Sequence, residues 1–144
     1  MRSSKEYNEH IYLSNLEEKI YSKWCAKVGI SHSLLKILDL LYEHQEGVEV
    51  SFISDKLVIY KQTLTGLLKQ LKESEYITWD KDVNDKRKKM VTLTEKGIKY
   101  TESVMATLYE KEDRAFNVLT DEEKIAFNNI YRKLVFELEK ELSE

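Results

Sequence analysis

The sequence predicts a mainly α-helical protein with a small β-hairpin wing, organised as a winged helix-turn-helix with a long helix at each end. The 144 residues include no proline and only four glycines, which suits long helices joined by short connections. Apolar residues recur at helical spacing along most of the chain. Two short runs rich in aromatic and β-branched residues, 76–80 and 90–94, flank a polar loop and predict the hairpin. A chain of this length is expected to form one domain, residues 1–144.

The first two helices are predicted from apolar stripes and from the residues that bound them. A long first helix runs from about Tyr7 to Lys27, and Gly29 is suited to end it because glycine tolerates left-handed backbone geometry. Ser31 is a suitable N-cap for the second helix. The apolar arc of that helix is wide enough to predict a place in the centre of the core, and it consists of Leu34, Leu35, Ile37, Leu38, Leu41 and Tyr42.

A helix-turn-helix is predicted next in the chain. Residues 46–50 suggest a turn and a short extended piece, after which Ser51 is expected to cap a short helix over 52–57. A tight connection over 58–60 leads to a second helix over 61–72, and two short helices in succession form this arrangement. One face of the second helix is apolar, with Leu64, Leu67, Leu68 and Leu71.

The outer face of the helix over 61–72 carries no carboxylate and several side chains that hydrogen-bond to phosphates and base edges. Taken alone, this face is more typical of an ordinary solvated helix, because Lys and Gln are common surface residues. As a recognition helix it offers these candidate DNA contacts: Lys61, Gln62, Thr63, Thr65, Lys69 and Gln70.

The hairpin after this helix favours DNA binding, because its loop holds four consecutive cations from Lys86 to Lys89. The order helix, turn, helix, basic hairpin is that of a winged helix. Charge along the chain agrees with this interpretation. Residues 56–99 contain 11 basic and 6 acidic residues, a balance of +5, whereas the whole chain carries −3 and the remainder therefore −8.

Two further helices are predicted after the hairpin. Thr94 opens the first, and Thr120 with Glu123 forms a capping box for the second, which runs from Glu122 to about Glu141. The apolar stripe of the last helix is close to heptad spacing and, like the stripe of the first helix of the chain, lacks a place in a small winged-helix core. A second copy of the chain is the simplest partner for both stripes, so we predict a homodimer.

The residues resemble the multiple antibiotic resistance regulator (MarR) family of bacterial transcription factors over nearly the whole chain. The most specific elements are Asp85-x-Arg87 in the wing and the strand that ends in Leu93-Thr94-x-x-Gly97. The resemblance implies a triangular homodimer that binds a pseudo-palindromic operator in double-stranded DNA and usually represses. Many members carry arginine where this chain has Gly66 and glycine where it has Glu75.

The resemblance also divides the chain into a DNA-binding lobe, about residues 31–95, and dimerisation helices, about 5–28 and 96–144. It implies that Arg87 lies at the wing tip in the minor groove, fixed by Asp85. A rigidly held guanidinium suits a narrow A·T-rich groove. The neighbouring Lys86 and Lys88 are candidate DNA contacts.

Effector binding is a second implication of the resemblance, since relatives often bind small aromatic molecules in a cleft. Aromatic residues at helical spacing are also typical of a core. The candidates for an effector cleft are Tyr21, Trp24, His32, Tyr42 and Tyr109.

Cys25 is the single cysteine and a candidate redox sensor. Some relatives sense oxidants through a reactive cysteine near the start of the first helix. Cys25 lies near the end of the predicted helix, where a small packed side chain is the alternative.

No other chemistry is predicted. The three histidines, His10, His32 and His44, form no metal-ligand spacing, and the sequence has no Gly-rich phosphate loop. We therefore expect no enzyme, metal or cofactor. No apolar run approaches membrane-spanning length and the first residues lack a secretory signal, so we expect a cytoplasmic protein. The alternative function is a winged-helix interaction module for an acidic protein partner.

Overall fold

The computed structural model of the chain describes residues 1–2, 4–81, 85 and 88–143. In these residues it is mainly helical with a small antiparallel sheet, as predicted. The elements, in chain order, are α1 (Lys5–Val28), α2 (His32–Glu43), β1 (Val48–Glu49), α3 (Val50–Leu57), α4 (Lys61–Glu73), β2 (Ile77–Lys81), β3 (Lys89–Leu93), α5 (Glu95–Phe116) and α6 (Asp121–Leu142). None of the described helices is both long enough and apolar enough to cross a membrane.

The chain divides into two compact units, residues 1–105 and 106–144, and the boundary falls within α5. The core of the first unit is built from α2, α3, α4 and the sheet. α2 buries four residues on a wide arc, which confirms its predicted central place. The fully or almost fully buried aliphatic residues include Leu35, Ile37, Leu38, Leu41, Ile53, Leu64, Leu68, Leu71, Ile77 and Val91.

The two caps between α1 and α2 are those the sequence predicts, although α1 begins at Lys5, two residues before the predicted start at Tyr7. Gly29 has a φ of 83°, in the left-handed region, and its N–H donates to the carbonyl of Cys25 at 2.9 Å. The Ser31 hydroxyl accepts a hydrogen bond from the N–H of Leu34 at 3.2 Å and so caps α2. Local capping chemistry thus determines both ends of the connection.

The predicted start of α3 is wrong by two residues. The helix begins at Val50 and its N-cap is Glu49, which makes no side-chain cap hydrogen bond, so Ser51 lies inside the helix. The reason is that the short extended piece is a strand: β1 pairs with β3, with Val48 opposite Val91, and runs directly into α3. Strand pairing fixes the extended backbone of Glu49, and this geometry replaces the side-chain cap.

The hairpin is confirmed as β2 paired with β3, and the sheet order is β1-β3-β2. Five residue pairs define the β2–β3 register, from Ile77 opposite Leu93 to Lys81 opposite Lys89. The tip that joins these strands includes residues 82–84 and 86–87, which lie outside the described residues. The predicted roles of Lys86 and Arg87 fall on that part of the chain.

The second unit contains the end of α5 and all of α6. The predicted capping box is confirmed: the Thr120 hydroxyl accepts from the N–H of Glu123, and the Glu123 carboxylate accepts from the N–H of Thr120. None of the described residues of α6 is buried. Its exposed large apolar side chains are Ile125, Phe127, Ile130, Tyr131, Val135, Phe136 and Leu142.

Candidate nucleic-acid interface

The rotation of α4 about its axis is fixed by its apolar face. Leu64, Leu68 and Leu71 are buried, while Leu67, which the sequence places on the same face, is half-buried. Helical periodicity then turns the opposite face to solvent. Five of the six predicted contact residues are exposed on it: Lys61, Gln62, Thr63, Lys69 and Gln70.

Thr65, the sixth predicted contact, is engaged within the helix. It is half-buried, and its hydroxyl donates a hydrogen bond to the carbonyl of Lys61 at 2.9 Å. Its oxygen can still accept a hydrogen bond, but its donor is already used. Among the uncharged side chains of this face, Gln62, Thr63 and Gln70 therefore remain as exposed donors.

The N-terminal end of α4 is open. Its N-cap residue, Tyr60, makes no side-chain cap hydrogen bond, and the first turn contains no acidic residue. The first backbone N–H groups of any α-helix lack an intrahelical partner, and they carry the positive end of the helix dipole. Since Lys61 adds a cation to this end, the local field favours an approaching phosphate.

Two apolar side chains beside this open end are almost fully exposed. Val58 is 90% exposed and Tyr60 is 88% exposed. Val58 also has a φ of 52° and a ψ of 52°, in the left-handed region. From the sequence, residues 58–60 are predicted only as a connection between two helices. The sequence signal that could have pointed to this exposed pair is the tyrosine at the N-cap position, where Ser, Thr, Asp or Asn is usual.

The C-terminal end of α4 is closed by hydrogen bonds. Glu75 has a φ of 64°, its N–H donates to the carbonyl of Lys72 at 3.0 Å, and the N–H of Tyr76 donates to the carbonyl of Leu71 at 3.0 Å. This pair of bonds is the Schellman pattern, which glycine usually completes at the position of Glu75. The chain thus ends the helix without the glycine that many relatives carry.

The residues after the wing continue this closure. The Thr94 hydroxyl donates to the carbonyl of Glu75 at 2.7 Å and accepts from the N–H of Gly97 at 3.0 Å. A Cβ atom at Gly97 would overlap the carbonyl oxygen of Tyr76. The Leu-Thr-x-x-Gly element of the sequence is therefore the joint that connects the start of α5 to the end of α4.

The described part of the wing places its cations in specific contacts. The ammonium group of Lys88 lies 3.3 Å from a carboxylate oxygen of Glu49, and the backbone N–H of Lys88 donates to the carbonyl of Asp85 at 3.0 Å. The ammonium group of Lys89 lies 5.5 Å from the centroid of the Trp79 ring, within cation–π range. Lys88 is therefore partly neutralised at the base of the wing.

Known proteins match this fold and sequence. Residues 30–89 match the family model described as MarR family. The chain is 26% identical over 128 residues to the HTH-type transcriptional regulator SarZ of Staphylococcus aureus, across 88% of this chain and 85% of SarZ. The structure of NMB1585, a MarR family regulator from Neisseria meningitidis, is 24% identical, with a TM-score of 0.81 over 97% of this chain and 98% of that chain. The structure of reduced AbfR bound to DNA is 25% identical, with a TM-score of 0.70 over 93% of this chain and 92% of that chain.

The fold, the exposed helix face and these matches define a winged helix-turn-helix transcriptional regulator that binds DNA. The chain is similar to regulators of the MarR family, and the family model matches its residues 30–89.

Cys25 is buried, with 1% of its surface exposed, and this burial raises the pKa of its thiol. A raised pKa favours the protonated thiol, whereas the thiolate is the form that reacts with oxidants. Cys25 also lines an open cavity of about 390 Å³, together with residues that include Ser22, Gly29, Ile30 and His32. The pKa direction favours a packed structural cysteine, and a redox role stays a prediction.

Two of the five effector candidates are in direct contact with each other. Tyr21 stacks on His32, with ring centroids 4.5 Å apart, and His32 lines the cavity beside Cys25. Tyr42 instead donates its hydroxyl to Glu102 at 3.0 Å, and this hydrogen bond is the main cause of its raised pKa. Trp24 is half-buried, and Tyr109 belongs to the second unit. An effector role for these residues stays a prediction.

Metal binding has no support in the described part of the chain, where no group of three or more His, Cys, Asp or Glu side chains could hold an ion.

Proposed function

We propose that this chain binds a pseudo-palindromic operator as a homodimer and usually represses transcription there. The observation that carries the proposal is the exposure of Lys61, Gln62 and Thr63 on the first turn of α4, whose opposite face is buried. In helix-turn-helix proteins the N-terminal residues of this helix contact base edges in the major groove.

The contacts divide into those that attract phosphate and those that read bases. Lys61 and Lys69 are exposed cations on α4 and supply attraction that is independent of sequence. Gln62, Thr63 and Gln70 can hydrogen-bond to base edges, and Thr65 can add an acceptor. In the wing, Arg87 enters the minor groove with Asp85 holding it, and Lys86 and Lys88 bind phosphates.

Dimerisation is supported by apolar side chains that are exposed in the single chain. On α1 these include Tyr12, Leu13 and Ile20, and α6 adds a stripe of its own. Large exposed apolar surfaces of this kind mark interaction sites. The proposed division keeps about residues 31–95 as the DNA-binding lobe and about 5–28 and 96–144 as dimerisation helices. Two lobes spaced about 34–36 Å apart would meet successive major grooves.

Control of binding is proposed to follow from that spacing. A small aromatic molecule, or oxidation of Cys25, would release DNA by changing the separation of the two lobes. The chain needs access to the chromosome for this role, so the cytoplasmic location predicted from the sequence belongs to the same proposal, as does the absence of enzymatic activity.

The test begins with the selection of bound fragments from the source genome, followed by affinity measurements at several salt concentrations. Lys61→Ala should weaken binding to operator and random duplex alike and reduce the slope of log K against log salt by about one, because one phosphate contact is lost. Lys133→Ala is the control, since this residue lies on α6. Equal slopes for the parent and Lys61→Ala would contradict the assignment of α4.

Two further outcomes separate the parts of the proposal. Sedimentation should show a dimer, and a stable monomer at micromolar concentration would contradict the role of α1 and α6. If the parent binds no duplex at low salt but binds an acidic protein, the alternative of a protein-interaction module replaces DNA recognition.

A further inference from the structure

The turn between α3 and α4 contains two residues whose types work against the stability of the fold. A β-branched residue such as Val58 is strongly disfavoured in the left-handed region, where glycine is the usual residue after a helix. Tyrosine at position 60 gives α4 no side-chain cap, where Ser, Thr, Asp or Asn would satisfy a first-turn N–H. Both side chains are nonetheless extended into solvent.

The same turn is held in place by hydrogen bonds. The Ser54 hydroxyl donates to the carbonyl of Ile59 at 2.7 Å, and the N–H of Ile59 donates to the carbonyl of Ser54 at 3.1 Å. The N–H of Val58 also donates to the carbonyl of Ser54, and Ile59 itself is half-buried. Ser54 therefore fixes the backbone, so Val58 and Tyr60 project from a rigid support.

The position of this pair indicates its partner. Tyr60 directly precedes the exposed first turn of α4, the part of a recognition helix that meets base edges. The major-groove edge of a base pair offers one prominent apolar group, the 5-methyl group of thymine. Strained backbone and exposed apolar side chains that persist against stability are typical of ligand contacts.

We propose that Val58 and Tyr60 pack against thymine methyl groups in the major groove, so that the turn before α4 reads A·T pairs through apolar contact. This inference rests on the proposed function and extends it from the polar face of α4 to the turn. It assigns sequence preference to two residues that make no hydrogen bond to a base.

The test uses the full-length protein and an operator selected from the source genome, in which thymines are replaced one at a time by deoxyuridine. Removal of a contacted methyl group should weaken parent binding about four-fold, because a buried methyl or methylene group contributes about 0.8 kcal/mol. Tyr60→Ser and Val58→Gly should weaken binding to the thymine operator. In these variants the deoxyuridine effect at one or two positions should disappear.

The two variants are also expected to raise the melting temperature, since serine can cap α4 and glycine removes the left-handed strain. Weaker binding could then not be attributed to loss of fold. Glu75→Gly is the matched control, because it changes the other left-handed residue that flanks α4 and should leave the deoxyuridine effect intact.

The outcomes distinguish this inference from the function on which it rests. If the parent binds the operator but deoxyuridine has no effect at any position, or if both variants retain the full effect, the thymine contact is refuted while DNA recognition stands. If the parent binds no duplex at low salt, the proposed function fails and the thymine contact fails with it.

Discussion

A residue with positive φ flanks α4 at each end, but the surroundings of these two residues differ. In the described part of the chain, Val58 and Glu75 are the non-glycine residues with positive φ, and one lies on each side of α4. The backbone N–H and carbonyl of Glu75 both form hydrogen bonds within the protein. At Val58 the backbone is fixed, but the side chain and the following N-cap residue, Tyr60, extend into solvent.

At the closed end of α4, residues 74–76 contact side chains from the segment after β3 and from α5. The carbonyl of Ser74 accepts from the ammonium group of Lys96 at 2.9 Å, and the carbonyl of Glu75 accepts from the Thr94 hydroxyl at 2.7 Å. The ring of Tyr76 stacks on that of Tyr100, with centroids 4.6 Å apart. The carbonyls of Ser74 and Glu75 therefore have partners from α5 and from the segment that joins β3 to α5.

The open end lacks such closure, and this difference teaches what each end is for. A helix start without a side-chain cap and a β-branched residue in the left-handed region reduce the stability of a free protein. Such features have a use where a bound ligand accepts hydrogen bonds from the helix start or packs against the apolar side chains beside it. The closed end anchors α4 to the rest of the first unit, and the open end is the one to which the proposed function assigns DNA contact.

The largest effect is expected at Gly97, in the closed end. In Gly97→Ala the new methyl group would overlap the carbonyl oxygen of Tyr76 and lie 3.0 Å from its carbonyl carbon. Because this neighbour is backbone, the joint must shift, and the free energy of unfolding should fall by about 3 kcal/mol or more. Urea denaturation measures the change.

Gly66→Ala is the matched control for that variant. Gly66 lies on the exposed face of α4, and no atom lies within 4 Å of an added Cβ. Alanine there should raise the free energy of unfolding by about 0.5–1 kcal/mol, because glycine weakens a helix interior. Equal destabilisation by both variants would show that Gly97 has no special role.

A smaller effect is expected from the hydroxyl of Thr94, which joins the two elements at the closed end. Thr94→Val keeps the shape of the side chain but removes a donor to Glu75 and an acceptor for Gly97. The loss should be about 1 kcal/mol, the cost of a lost helix cap, because the exposed Glu75 carbonyl can bond to water instead. Thermal unfolding of Thr94→Val and Thr94→Ser is the measurement; serine retains the hydroxyl and should stay within about 0.5 kcal/mol of the parent. A valine variant as stable as the parent would refute the joint.

Much of the fold could be predicted because its boundaries are local. Gly29, Ser31 and the pair Thr120 and Glu123 act through neighbours within a few residues, and each fulfils its predicted role. The start of α3 could not be predicted, because the pairing of Val48 with Val91 is a long-range contact. Ser51 offered a valid local cap, and the strand overrode it.

The candidate site shows the same division. The exposed face of α4 follows from helical periodicity, and the structure agrees for Lys61 and Gln62. Thr65 is a predicted DNA contact, but its hydroxyl donates to the carbonyl four residues earlier, which periodicity does not reveal. The exposure of Val58 depends on its backbone conformation, and the closure around Glu75 depends on residues that lie later in the chain. Neither could be predicted from the local sequence.

The smallest effect should come from relieving the left-handed residue at each end. Glu75→Gly removes strain of about 1 kcal/mol but also increases the entropy of the unfolded chain, so the net gain should be about 0.5 kcal/mol or less. Val58→Gly should gain more, about 1 kcal/mol, because a β-branched side chain is more strongly disfavoured at positive φ. The free energies of unfolding of the two variants, measured by urea denaturation, therefore rank the strain at the two ends. If Glu75→Gly gained as much as Val58→Gly, the open end would hold no more strain than the closed one. The backbone strain at Val58 would then be no argument for a ligand contact there.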